Sequence, residues 1–218
     1  MFPLRNAVLL PRAVQPLHVF EERYRLMTRD ALEGSRLIAL ALLKPGHEKR
    51  YHTLDVPIHD VVCVGNILRE ECLPDGRYNF LLRGVTRARV IEENHDLLYR
   101  RATLEPISIT QLDPSEECRI RARLKAMLEL PPITQLAACG DWLALTSSAT
   151  TTLSDLVDYL ASIVLQSCEE KQLFLSEPKL CVRANILVDV LKGTAAALMN
   201  HAARTRRPRK WPPITIDN

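Results

Sequence analysis

No run in these 218 residues approaches the roughly 18 to 20 consecutive apolar side chains that a membrane span requires. The opening Met1-Phe2-Pro3-Leu4-Arg5 has no basic segment leading into a long apolar stretch, so no secretory leader is expected. Glycine is scarce, at seven, and none is followed by lysine. The phosphate-cradling loop G-x-x-x-x-G-K-[ST] is therefore excluded. Neither a G-x-S-x-G nucleophile elbow nor an H-E-x-x-H zinc helix occurs. Cys63, Cys72, Cys118, Cys139, Cys168 and Cys181 form no C-x-x-C pair. With no export signal they read as reduced thiols of a cytoplasmic protein, without a zinc cluster. The expectation is a chain that is not an enzyme and carries no cofactor and no metal.

Charge is unevenly placed. Of 29 basic and 26 acidic residues, five and one fall in residues 201–218, leaving 24 and 25 in the body. The body is near neutral, which argues against a basic nucleic-acid face of its own. The surplus is Arg204, Arg206, Arg207, Arg209 and Lys210, followed by Trp211. This proline-containing end is expected to be loosely ordered.

The pattern along the chain changes near residues 107–113. Before it, short apolar runs at Ala7 to Leu10, Gln15 to Val19, Leu37 to Leu43, Val61 to Cys72, Arg77 to Arg83, Thr86 to Glu92 and Arg101 to Leu104 read as strands. Pro74-Asp75-Gly76 supplies hairpin chemistry, and Gly84 reads as a break. One helix is expected over Glu21 to Leu32, with Phe20, Tyr24, Met27 and Ala31 as its apolar stripe, a Glu21–Arg25 pair, and Gly34 at its end. After the change, Asp113-Pro114-Ser115-Glu116 opens a helix that stops at Pro131-Pro132. Capping patterns at Thr152 and Ser167 open two more, and a last helix follows Pro178. This is an α+β chain: a small barrel or sandwich over residues 1–108, a helical bundle over 109–203 and a basic tail over 204–218.

Several blocks then resemble one family. Phe2-Pro3-Leu4-Arg5-Asn6-Ala7-Val8-Leu9-Leu10-Pro11 is similar to the opening signature of Lon protease N-terminal domains, "FPLxNxVLFPG". Gln15 to Tyr24 resembles the "LPLHIFEPRYR" block. Val62-Cys63-Val64-Gly65, Leu73-Pro74-Asp75-Gly76-Arg77-Tyr78 and Leu82-Arg83-Gly84-Val85-Thr86-Arg87 match later blocks in order and spacing. The match covers about the first 105 residues. Arg12 departs from it, standing where many members carry glycine. The resemblance implies a PUA-like β pseudo-barrel with one inserted helix, followed by a helical bundle. It also implies a stand-alone substrate-binding module without the ATPase and peptidase of Lon.

The function expected is recognition of unfolded or tagged polypeptides, feeding a protease in trans. The alternative is RNA or DNA binding by the barrel and the tail residues Arg204, Arg206, Arg207, Arg209, Lys210 and Trp211. On the barrel, Arg83, Arg87 and Arg89 are the polar candidates for a binding face, weighed against ion pairing on its surface. His47, His52 and His59 read as loop histidines rather than a metal site, and His18 reads as structural. Cys63 and Cys72 read as half-buried hydrophobes rather than nucleophiles.

Overall fold

A computed structural model describes residues 1–205 except 111, 136–138 and 149. Six strands form one sheet: β1 (Phe2–Leu4), β2 (Val14–Val19), β3 (Leu37–Leu42), β4 (Val61–Cys72), β5 (Tyr78–Asn94) and β6 (Arg101–Pro106). Helix α1 (Glu22–Glu33) is inserted between β2 and β3. Six helices follow: α2 (Pro114–Leu128), α3 (Pro131–Thr134), α4 (Cys139–Ser147), α5 (Leu153–Val164), α6 (Cys168–Ser176) and α7 (Leu180–Thr205). The architecture is α+β, a β pseudo-barrel with one inserted helix and then a helical bundle. No described helix is long and apolar enough to cross a membrane.

The sheet runs β1-β3-β4-β5-β2, and β6 pairs with the far half of β5. β1 is parallel to β3, and all other pairings are antiparallel. β5 is long enough to hold three partners: its first half pairs with β2, its second with β6, and most of its length with β4. The Asp75-Gly76 turn that joins β4 to β5 uses glycine for its φ of 78°. Gly84 does not end the strand. It stays inside β5 because Leu10 O crosses where a Cβ would sit, 2.1 Å away. The chain passes that crossing by bulging: Val64 pairs with Thr86 while Gly65 pairs with Gly84, leaving Val85 over.

Other expectations need correction. Ala7 to Leu10 is not a strand; Leu9 and Leu10 are both buried, so the segment lacks strand alternation. Phe20 is not part of the α1 stripe. It precedes the extended Glu21 cap and is 61% exposed, whereas Tyr24 and Met27 are buried. Pro131 and Pro132 do more than stop α2: they open α3, because proline fits the first helical turn, where its missing N–H costs nothing. Caps at Asp113, Thr152 and Ser167 stand as expected, each accepting a backbone N–H.

Apolar residues of both halves meet in one continuous core. Val62, Cys63, Ile67 and Leu82 of the barrel share it with Leu124, Leu156, Phe174 and Leu187 of the helices. Polar ties cross the same seam. The Gln172 side chain of α6 donates to Val61 O of β4 at 2.9 Å.

Candidate functional site

The three arginines expected on one barrel face are separated. Arg83 is exposed on β5, level with Val14 of β2 and Asn66 of β4. Arg89 is exposed between Val61 and Glu105. Arg87 is 2% exposed and belongs to no binding face. The bulge at Val85 resets the alternation, and Arg87 turns inward against the bundle. Its two Nη atoms donate to the Asp158 carboxylate of α5 at 3.1 and 3.0 Å, and its Nε to Leu175 O at 3.1 Å. Arg183 of α7 lies 3.3 Å from the same carboxylate. Burial pushes the Asp158 carboxyl up to about 6, against the opposing pull of Arg87. This is the ion pairing weighed at the outset, in the interior rather than on the surface. Of the tail candidates, Arg204 falls in the last turn of α7. Arg206, Arg207, Arg209, Lys210 and Trp211 lie outside the described residues.

The block Phe20-Glu21-Glu22-Arg23-Tyr24 is spent largely on structure. The Arg23 guanidinium lies 4.4 Å from the Tyr24 ring and 5.0 Å from the Tyr51 ring, and donates to Tyr51 O and His52 O. Glu21 pairs with Arg23 at 2.9 Å and accepts from the Tyr51 hydroxyl at 2.9 Å. The expected Glu21–Arg25 pair is thus replaced. The cluster pins the 44–55 loop to α1. Burial pushes the Cys63 thiol up to about 12, so it stays protonated at neutral pH and is no nucleophile.

What remains open is a groove of about 590 Å³ where β2, β5 and β4 lie side by side, lined by Pro16, Leu17, His18, Arg69, Asn79 and Leu81 among others. Its apolar surface follows from register. Pro16 faces Leu81, and Leu81 faces Arg69. The bulge between Ile67 and Arg69 leaves Leu68 43% exposed, and Val14 and Leu81 are exposed as well. At the end of β2, Phe20 stacks on His18 at 6.1 Å. The rim is polar and already paired. The Asn79 amide oxygen lies 2.7 Å from His18 Nδ1, and its nitrogen donates to Glu71 at 3.2 Å. The Arg36 guanidinium binds Glu70 and holds its carboxyl below the ordinary range.

Among the described residues β2 pairs only with β5, so its other side is a strand edge. In an antiparallel pair, alternate residues turn their N–H and C=O away from the partner. Those groups, beside exposed Val14, Leu81 and Phe20, suit main-chain pairing with an extended segment. Pro16 removes one donor and limits indiscriminate sheet growth. The sequence carried one signal of this patch: Leu81 is the apolar residue among Arg77, Asn79 and Arg83 on the polar face of its strand.

A family model described as the ATP-dependent protease La (LON) substrate-binding domain matches residues 1–193, and so reaches through the helical half. The Lon protease of Anaeromyxobacter dehalogenans is 25% identical over 196 residues, covering 88% of this chain and 22% of the relative. The Lon protease of Dictyoglomus thermophilum is 34% identical over 107 residues, covering 49% and 13%. The chain spans less than a quarter of the length of these relatives. The N-terminal domain of Mycobacterium avium complex Lon protease superposes with a TM-score of 0.65 at 15% identity, covering 88% of this chain and 96% of that one. A Lon N-terminal domain protein from Xanthomonas campestris gives 0.58 at 24% identity, covering 86% and 95%. These two likenesses bear on the fold.

Proposed function

The chain belongs to the Lon substrate-binding domain family, and from that premise we propose that it is a non-catalytic module that recognises unfolded polypeptide and presents it to a protease. One observation carries this reading: the exposed apolar side chains Val14, Leu81 and Phe20, set along β2 and its partner β5 beside the open edge of β2. An unfolded chain offers what that surface lacks, namely apolar side chains on an extended backbone with free hydrogen-bonding groups. A folded protein hides both. The paired polar rim fixes the groove without competing for the ligand.

The test is fluorescence anisotropy with a labelled, reduced and carboxymethylated protein that cannot refold. Binding in the micromolar range is expected. Leu81→Asp is expected to weaken it about tenfold or more, because the carboxylate must be desolvated against the bound apolar segment. Leu81 is exposed, so this change leaves the fold intact. Absence of binding at about 100 µM, or indifference to Leu81→Asp, would rule the reading out.

A further inference from the structure

Where α1 meets the β4–β5 turn there is a second cleft, of about 380 Å³, lined by Glu22, Arg25 and Arg29 of α1, by Gly76 and Tyr78, and by Leu98. Arg25 and Arg29 stand one helical turn apart, so their guanidiniums share a face and repel. The Arg25 side chain has neither a hydrogen bond nor an ion pair among the described residues, and its backbone N–H is spent on Glu21 O at 2.9 Å. The nearest carboxylate to Arg29 is Asp30, 3.9 Å away. That carboxylate already accepts from the Tyr99 hydroxyl at 2.7 Å.

Arg25 lies against the β4–β5 turn. It is half-buried, and a Cβ on Gly76 would lie 2.1 Å from its Nη2. The turn needs glycine for its φ of 78°, and the guanidinium occupies the space beside it. Burial pushes the Tyr78 hydroxyl up, against the opposing pull of Arg29 and Arg25. Leu98 adds an aliphatic wall that is 59% exposed.

We propose that this cleft binds a polypeptide carboxylate lying next to an aliphatic side chain, with Arg25 and Arg29 on the carboxylate and Leu98 against the aliphatic group. The proposal rests on the polypeptide-recognition reading above and adds a second point of contact to it. A single carboxylate fits better than a nucleic-acid strand. Glu22 also lines the cleft, so its net charge suits one negative group, and successive phosphodiesters would meet the Glu22 carboxylate. The carboxylate is either a chain terminus or an acidic side chain.

Calorimetric titration of the full chain compares four probes: N-acetyl-leucyl-leucine, its C-terminal amide, N-acetyl-glutamyl-leucine amide and oligothymidylate. The free acid, or the glutamyl peptide, is expected to bind at least about tenfold more tightly than the uncharged amide. Whichever of the two does so names the source of the carboxylate. Arg25→Gln and Arg29→Gln are each expected to weaken that binding about tenfold. Arg29 is exposed, so its variant reports on binding without disturbing the fold. Equal binding of charged and uncharged peptides, no binding of either, or indifference to both substitutions overturns the proposal. So does tighter, arginine-dependent binding of oligothymidylate, which assigns the cleft to nucleic acid. The unfolded-protein assay on the same variants separates the two readings. Undiminished binding there, still lost in Leu81→Asp, means that the groove stands and the cleft alone has failed.

Discussion

Arg12 adopts φ 69°, a conformation that a side chain makes costly. Both the side chain and the backbone of Arg12 are engaged in that conformation. Its Nε and Nη2 donate to both oxygens of Asp155 on α5, at 2.7 and 2.8 Å, tying the β1–β2 loop to the bundle. The backbone also holds its place, because Arg12 N donates to Gly84 O at 2.9 Å. Strain and ion pair can be separated by two substitutions. Arg12→Gly and Arg12→Ala both lose the pair, but only alanine keeps the strained φ. Arg12→Ala is therefore expected to be less stable than Arg12→Gly by about 1 kcal/mol. Urea midpoints measure the difference. Equal midpoints would mean that the loop relaxes out of the left-handed region once the pair is gone. The pair itself is worth little by this reasoning, since Arg12 is half exposed and solvent screens it.

Elements whose signals are local were legible in the sequence. The α6 start is the clearest. Ser167 Oγ accepts from Glu170 N at 3.0 Å, and the Glu170 carboxylate accepts from Ser167 N at 3.0 Å. Those bonds hold the Glu170 carboxyl below its ordinary 4.5. A lowered pKa in the folded state means that the stabilisation is present above 4.5 and fades as the pH falls through the folded value. Glu170→Gln is thus expected to lower the urea midpoint at neutral pH, and the gap from the parent should close on acidification below the folded pKa. A gap that stays constant with pH would show that the carboxylate charge plays no part. Ser167→Ala is expected to cost about 1 kcal/mol. Non-local features were not legible. The Val85 bulge lies where Leu10 crosses over Gly84, and no pattern within β5 reports a crossing made by a residue 74 positions earlier in the chain. Arg87 turns inward past that bulge, while Arg83, on its near side, stays exposed. The open edge of β2 was equally hidden, since pairing partners are a property of the whole sheet. Ahead of helix α4 the sequence Leu136-Ala137-Ala138 offers no capping side chain.

At the scale of the whole molecule, the change of pattern near residues 107–113 divides the chain by element type, while the interior joins it. Arg87 from the barrel and Arg183 from α7 converge on Asp158 of α5, all three nearly inaccessible to water. Such a cluster is specific rather than strong, because desolvation offsets much of the attraction. Removing one member is a different matter, since it leaves charge buried without a partner. Asp158→Ala strands two guanidiniums and is expected to cost about 3–5 kcal/mol, whereas replacing Asp158, Arg87 and Arg183 together with leucine, methionine and leucine is expected to recover most of that loss. The cluster sits inside a core that both halves share, so its loss should loosen barrel and bundle alike. Native-state hydrogen exchange reads this directly. Amides at the centres of β4 and α5 are expected to open with the same free energy in the parent chain, and to fall together in Asp158→Ala. If α5 were instead to exchange through a lower-energy opening while β4 stays protected, the two halves would be separate cooperative units meeting at residues 108 and 109, and Arg87–Asp158 would be a clasp between them rather than part of one interior.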